Sequence, residues 1–225
     1  MNFFSEIATK SSTTSNSFLL LFVIFTIFIV PFFPIELHRL LYVISITIIF
    51  LLSAIALNDY QPKIFYATVL VIIIEWLAEI LNLSLFSKIS FLANILFFDL
   101  LVLLFILQIA KAKTVTFRVI MESINGYLML GLSFSILIGL VCAIDPSSFS
   151  FKHLTEEINP AYSYFSNYTY YGFVTLTTLG YGDVVPLTPA ARSLSILISI
   201  TGQMYVAIII AALVSKYLGQ RSKED

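Results

Sequence analysis

The stretch TTLGYGD, Thr177–Asp183, is the most irregular segment of a strongly apolar chain. Its two glycines, Gly180 and Gly182, open backbone angles that are closed to other residues. At membrane depth, an irregular backbone is tolerated only where protein buries it or where it lines a water-filled path. The role of this stretch therefore depends on whether the segments around it cross a membrane.

The composition indicates that they do. Of the 225 residues, 59% are hydrophobic and 11% are charged, whereas soluble domains average about 25% charged residues. The apolar residues form long blocks such as FLLLFVIFTIFIV and LFFDLLVLLFILQIA, which are typical of bilayer-spanning helices. A large soluble core is excluded because the polar surface that would cover it is missing. The net charge of −1 gives no sign of nucleic-acid binding.

Six membrane-spanning helices are predicted, and successive helices alternate in direction. They lie near Ser17–Phe33, Leu37–Leu57, Ile64–Leu83, Phe91–Ala110, Val119–Ile144 and Ala190–Tyr217. An even number of spans puts both termini on one side of the membrane. Eight basic residues fall on that side and four on the other, so the positive-inside rule predicts a multi-pass plasma-membrane protein with cytoplasmic termini.

These spans divide the chain into five predicted segments. They are a cytoplasmic tail at 1–16, a peripheral four-helix domain at 17–110, an interfacial linker at 111–118, a pore domain at 119–217 and a cytoplasmic tail at 218–225. The linker begins the basic, partly amphipathic stretch KAKTVTFRVIMES, which anionic membrane lipid should attract. A basic stop after the fourth span and mechanical coupling to the pore domain both fit this pattern.

The segment between the fifth and sixth spans predicts a re-entrant structure. Its part SYFSNYTYYGFVTLTT is too short to cross a membrane, and Ser163 is placed to cap a half-length helix. TTLGYGD would then follow this helix at membrane depth. A row of its carbonyls, with the Thr178 hydroxyl at the inner end, can replace the water around a cation.

TTLGYGD resembles the signature of the potassium-channel family, and YYGFVTLTTLGYGDVVPLT resembles that family's pore helix, filter and outer turn. The resemblance covers roughly Val119 to Tyr217. It implies an all-α integral membrane protein, with six transmembrane helices and a re-entrant pore helix and selectivity-filter loop between spans five and six. It also implies that K+ is the permeant ion, bound by oxygens of Thr178, Leu179, Gly180, Tyr181 and Gly182. One chain supplies one filter strand, so a homotetramer is expected to encircle the ion.

The sequence departs from the family pattern at several positions. Leu179 stands where valine or isoleucine is commoner, and Val174 stands where some members carry a glutamate partner for the aspartate. Two tyrosines, 170 and 171, occupy positions where tryptophans are often found. The second of them is expected to donate its hydroxyl to the aspartate that braces the outer mouth. The expected filter support is therefore Thr177, Asp183 and Tyr171.

The sixth span contains candidates for a hinge and a gate. Gly202 matches the point where the family often has a hinge glycine in the inner helix, and glycine weakens a helix locally. Close packing through a small residue explains the same glycine equally well. Val206, Ile210 and Val214 recur at helical spacing. A ring of them from four subunits would close the path by dewetting, and contact with neighbouring helices or lipid is the alternative.

The first four spans lack the usual voltage sensor. The fourth span, FLANILFFDLLVLLFILQIA, contains no lysine or arginine, and its one charged residue is Asp99. Weak voltage dependence is therefore expected. Glu75 and Glu79 share one face of the third span, and ionised carboxylates are costly in hydrocarbon. With Asp99 they form either a modulatory site for a proton or a divalent cation, or a protonated packing cluster.

The sequence thus predicts a potassium-selective channel that conducts K+ passively and is not an enzyme. Three alternatives remain: a weakly selective cation channel, a potassium transporter membrane subunit, and a non-conducting membrane scaffold. The intact GYG argues against the first, because a carbonyl row needs those glycines. A single well-formed pore loop argues against the second, and the irregular loop itself argues against the third.

Overall fold

A computed structural model describes residues 3–57, 63–81, 84–151 and 164–221. Within these ranges the chain forms seven α-helices and two short strands. The helices are α1 (Phe3–Ile24), α2 (Ile35–Ala56), α3 (Lys63–Ile80), α4 (Ser84–Lys111), α5 (Phe117–Ile144), α6 (Tyr164–Leu176) and α7 (Pro189–Arg221), and the strands are β1 (Phe149–Ser150) and β2 (Val185–Pro186).

Five of the described helical segments are long and apolar enough to cross a membrane. They are Thr14–Phe32, Ile35–Ala56, Leu92–Lys111, Phe117–Ile144 and Pro189–Gln220. These segments coincide with the predicted first, second, fourth, fifth and sixth spans. The predicted third span coincides with α3, whose described apolar part, Lys63–Ile74, is shorter. The all-helical, multi-pass character is therefore confirmed, and the count of six spans stays a prediction.

Several helix boundaries differ from the predicted ones. α1 already begins at Phe3, so most of the segment predicted as a polar tail is helical. At its other end, α1 continues as a π-turn and a 3-10 turn around Pro31, because proline has no amide hydrogen to continue the helical ladder. The connection between α4 and α5 is confined to 112–116. Ser163, the expected cap of α6, lies outside the described residues.

The chain forms two compact units. Unit 1 comprises the described residues up to Thr26 and from Tyr42 to Gly126, and unit 2 those from Ile27 to Leu41 and from Tyr127 onward. The division falls inside α5, whereas the sequence pattern placed a domain boundary in the linker at 111–118. In unit 1, the rings of Phe50 and Phe98 stack at 5.1 Å. In lipid, such packing is held by van der Waals contact between helices.

Within unit 2, side chains of α6 lie over small residues of α5. One face of α5 carries three small residues, each one turn after the last: Gly131, Ser135 and Gly139. A Cβ at Gly131 would lie 2.2 Å from Cζ of Phe173, and one at Gly139 would lie 3.0 Å from Cδ2 of Tyr168. Small residues at this spacing let two membrane helices approach closely, so bulky side chains of α6 fit against α5.

A two-stranded ladder joins the chain on either side of α6. β1 and β2 pair antiparallel, with Phe149 opposite Pro186 and Ser150 opposite Val185. The amide of Leu187 also donates to the carbonyl oxygen of Ser148 at 2.8 Å. The ladder therefore ties the segment after α5 to the segment before α7.

Candidate functional site

The loop after α6 is shaped by hydrogen bonds to the end of that helix. Four consecutive loop amides, 177–180, donate to the carbonyl oxygens at 173–175 that the helix itself leaves unpaired. The N···O distances are 2.9 Å (Thr177 to Phe173), 3.0 Å (Thr178 to Thr175), 3.0 Å (Leu179 to Val174) and 3.3 Å (Gly180 to Val174). The loop therefore turns its donors toward α6.

The backbone of this loop alternates in handedness. The φ angle is +59° at Thr178, +55° at Gly180 and +81° at Gly182, and it is not positive at the two residues between them. Alternation of this kind turns successive N–H groups to one side of the backbone, as in backbone nests, and the carbonyl oxygens to the other side. Two of the three left-handed positions carry the glycines that the motif predicted. The third is a β-branched threonine, and a left-handed β-branched residue marks a strained, functional backbone.

The carbonyl oxygens of residues 177–182 accept no hydrogen bond from any described residue. Buried backbone acceptors are normally paired, whereas these exposed acceptors are left open in the single chain. The loop is also uncovered in the single chain, since the side chains of Leu179 and Tyr181 are 55% and 67% exposed. A Cβ built at Gly180 or Gly182 meets no atom within 4 Å. The segment that the sequence predicted as a filter is thus a row of open oxygen acceptors.

Two threonine hydroxyls extend the inner end of the loop. Thr177 Oγ1 donates to the Phe173 carbonyl oxygen at 2.7 Å, so Thr177 supports the helix end. Gln203 Nε2, on α7, donates to Thr178 Oγ1 at 3.2 Å. The sequence analysis missed Gln203. The available signal was weak: Gln203 is the one amide side chain of the predicted sixth span, and it follows Gly202 directly.

At the outer end, Asp183 is held by Tyr170. The Tyr170 hydroxyl donates to Asp183 Oδ2, and Asp183 Oδ1 accepts the amide hydrogen of Val184 at 3.0 Å. This hydrogen bond raises the pKa of Tyr170 to about 12, so the phenol is protonated and donates at neutral pH.

The predicted contact between Tyr171 and Asp183 is wrong. The Tyr171 hydroxyl lies 2.6 Å from Ser195 Oγ on α7, and its ring packs edge-on against Phe149 at 5.1 Å. Consecutive helical residues point about 100° apart. Only the first of the two tyrosines therefore faces the loop, and the second is buried against α7 and β1.

Gly202 packs against the end of α6. A Cβ at this position would lie 2.0 Å from the Leu176 carbonyl oxygen and 2.9 Å from its carbonyl carbon. One turn earlier on α7, Ser199 Oγ donates to the Thr175 carbonyl oxygen at 3.4 Å. These contacts support the close-packing explanation of the glycine. Its role as a hinge stays a prediction.

The candidate gate residues lie on a separate stripe of α7. The side that packs inward carries Ile198, Gly202, Tyr205 and Ile209, all of which are buried. The three candidates, four residues apart, are all exposed in the single chain: Val206, Ile210 and Val214. Exposure leaves them available to line a path, to meet another helix or to face lipid, so the gate stays a prediction.

The acidic cluster is only partly described. Asp99 lies half-buried on α4, while the side chains of Glu75 and Glu79 on α3 lie outside the described part of the structure. Among the described residues no three His, Cys, Asp or Glu side chains are grouped so that they can hold a metal ion. The proton or divalent-cation site stays a prediction.

A different acid, Glu122, is the buried charge that the sequence analysis overlooked. It is 1% exposed, and its Oε1 accepts hydrogen bonds from Arg118 Nε at 2.8 Å, Gln108 Nε2 at 2.9 Å and Asn16 Nδ2 at 3.3 Å. These partners join α1, α4 and α5 in unit 1. The signal was the spacing of four between Arg118 and Glu122.

Comparison with known proteins finds a similarity to ion channels within unit 2. A family model described as an ion channel matches residues 132–218, which includes α6, the loop and nearly all of α7. The chain is also 45% identical over 49 residues to a protein named two pore potassium channel c from Oryza sativa subsp. japonica. That match covers 22% of this chain and 11% of the relative. No solved structure matches the chain.

Proposed function

We propose that this chain is one subunit of a potassium-selective channel that conducts K+ passively across the plasma membrane. The observation that carries the proposal is the row of unpartnered carbonyl oxygens along a loop of alternating handedness. Stripping the water from K+ is costly unless other oxygens replace it. Carbonyls turned to one side of a narrow path provide that replacement.

The proposed ion ligands are oxygens of the loop itself. They are Thr178, Leu179, Gly180, Tyr181 and Gly182, with the hydroxyl of Thr178 at the inner end. The ion is the transported substrate, and it moves down its gradient without covalent chemistry, so the protein is not an enzyme. The potassium channel named above contributes the expectation of K+ as the ion.

The proposed assembly is a homotetramer in the membrane. One loop offers oxygens from one side only, and it is uncovered in the single chain. Four copies around an axis would surround the ion and would cover the exposed loop side chains. We further propose six spans, with α3 as the third, and cytoplasmic termini. Lipid is then the other partner of the chain, and nothing in its charge suits nucleic acid.

Voltage should affect this channel only weakly. The membrane field acts on a charge that moves through it, at about 2.3 kcal/mol per charge per 100 mV, and α4 has no basic residue between Ser90 and Ala110. Current recorded from purified protein in planar bilayers should therefore change gradually with voltage. A steep conductance–voltage curve would contradict this expectation.

The decisive experiment measures ion flux from liposomes that contain the purified protein. Potassium and rubidium should pass much faster than sodium. Gly180→Ala should abolish selective flux, because alanine at φ +55° is strained by about 1–2 kcal/mol. Gly219→Ala is the matched control, since both positions have open space for a Cβ and Gly219 is helical.

Three results would contradict the proposal. Equal sodium and potassium flux through the intact protein would indicate the alternative, a weakly selective cation channel. Selective flux that survives Gly180→Ala would show that the loop is not the filter. Uptake of potassium against its gradient would instead favour the transporter subunit.

A further inference from the structure

A cavity of about 310 Å³ lies in unit 1 where α4 ends and α5 begins. Its lining includes Gln108, Lys111, Lys113, Thr116, Arg118 and Glu122, all of which are polar or charged. None of them belongs to the loop or to α7. All of the lining residues belong to unit 1.

The cavity lies level with the ends of two apolar segments. One ends at Lys111 and the next begins at Phe117. Residues at the end of a bilayer-spanning helix sit among the lipid headgroups. Apolar side chains beside the lining are exposed, namely Leu107, Phe117 and Ile120. A ligand at this level of the membrane can therefore contact both charged groups and hydrocarbon.

The charge of the lining favours an anion. It contains three basic side chains and one carboxylate. The carboxylate, Glu122, is buried and already accepts hydrogen bonds from three side chains, including Arg118. Two lysines, 111 and 113, are exposed at the cavity. Lysine ammonium groups bind phosphate as compact point charges.

One buried acceptor of a lining residue, Gln108 Oε1, has no hydrogen-bond donor among the described residues. The two hydrogens of Gln108 Nε2 are used by the Ala56 carbonyl oxygen at 3.2 Å and by Glu122 Oε1 at 2.9 Å. These two acceptors fix which amide atom is nitrogen. Gln108 Oε1 is then buried without a partner among the described residues, which costs free energy unless a donor reaches it. Gln108 lines the cavity, so a small rotation of its amide would bring Oε1 within reach of a ligand hydroxyl.

We infer that this cavity binds the headgroup of an anionic phospholipid. The phosphate lies at Lys111 and Lys113, a headgroup hydroxyl donates to Gln108 Oε1, and the acyl chain follows the exposed apolar side chains. A phospholipid with a glycerol headgroup has the phosphate, the headgroup hydroxyl and the acyl chain that these contacts require. The site does not depend on which ion the protein conducts.

The test measures single-lipid binding to the full chain in detergent by native mass spectrometry, where no bilayer surface adds its own charge. Phosphatidylglycerol should bind, and phosphatidylcholine should not. Lys111→Gln with Lys113→Gln should weaken phosphatidylglycerol binding by about 30-fold, since each basic residue near an anionic lipid changes affinity by about fivefold. Phosphatidylmethanol, which keeps the charge but lacks the hydroxyl, should bind more weakly than phosphatidylglycerol.

The matched control is Lys63→Gln with Lys216→Gln, which removes the same charge from two lysines that do not line the cavity. Binding within twofold of the wild type is expected for it. An equal loss in both double variants would overturn the proposal and leave only general attraction between charges. Displacement of the lipid by inorganic phosphate at equal concentration would also overturn the proposal, because it would show that the site binds free phosphate. Thermal unfolding of both variants at the wild-type temperature confirms that the fold is intact.

Discussion

Replacing Gly202 by alanine tests how α7 meets the end of α6. The added Cβ would lie 2.0 Å from the Leu176 carbonyl oxygen, whereas carbon–oxygen contacts lie at about 3.3 Å or more. The two helices must therefore separate by about 1.3 Å. A backbone oxygen cannot rotate away as a flexible side chain can.

Two effects of opposite sign set the size of the change. Overpacking costs about 1–3 kcal/mol, and a forced shift of backbone belongs at the upper end of this range. Alanine is favoured over glycine in a helix by about 1 kcal/mol. The net loss is about 1–2 kcal/mol, which lowers the unfolding temperature by about 2–8 °C for a chain of this length.

The assay is thermal unfolding in detergent, followed by potassium flux from liposomes with the same amount of protein. Gly219→Ala is the control on the same helix, because its Cβ would meet no atom within 4 Å. It should leave flux unchanged and should not lower the unfolding temperature. Gly202→Ala should lower both quantities, since Leu176 lies two residues before Thr178. If Gly202→Ala instead stabilises the protein as the control does, the close contact is refuted.

Two hydrogen bonds to the loop give further predictions. Gln203→Leu removes the hydrogen-bond donor to Thr178. It should reduce the potassium-to-sodium permeability ratio by up to about tenfold, because a neutral hydrogen bond contributes about 0.5–1.5 kcal/mol. This ratio is obtained from reversal potentials. Tyr170→Phe should lower potassium flux, because it removes the hydrogen bond to Asp183, whereas Tyr171→Phe should leave the flux unchanged. Equal effects of the two variants would contradict the assignment of Tyr170 as the donor to Asp183. Because the pKa of Tyr170 is raised from 10.0 to about 12, the stabilisation by this bond is complete below pH 10 and disappears as the pH rises through 12.

The sequence was sufficient for the features that depend on local composition. Long apolar blocks predicted the membrane helices, because no other environment accepts such segments. The glycines at 180 and 182 predicted left-handed backbone, and both have positive φ. The resemblance of TTLGYGD to potassium channels agrees with the ion-channel family match over 132–218.

The sequence did not predict contacts that depend on the orientation of a helix about its axis or on residues that are far apart in the chain. Tyr170 and Tyr171 have the same chemistry, and only the orientation of α6 decides which hydroxyl reaches Asp183. Gln203 contacts Thr178 because α7 approaches α6 at a glycine, and no local pattern encodes that approach. The carboxylate of Glu122 draws a donor from α1, more than a hundred positions away in the chain.

The pairing of β1 with β2 has a consequence for the order in which the elements of unit 2 fold. β1 leaves the ribosome well before α6, and β2 leaves only after the loop has been made. Closing such a long connection costs chain entropy that the two-residue ladder alone cannot offset. We therefore expect α6 to pack against Gly131 and Gly139 before β2 pairs with β1. The outer end of the loop would then be the last part of unit 2 to acquire its final shape, and slow or incomplete pairing would leave a subunit that is inserted but not yet competent.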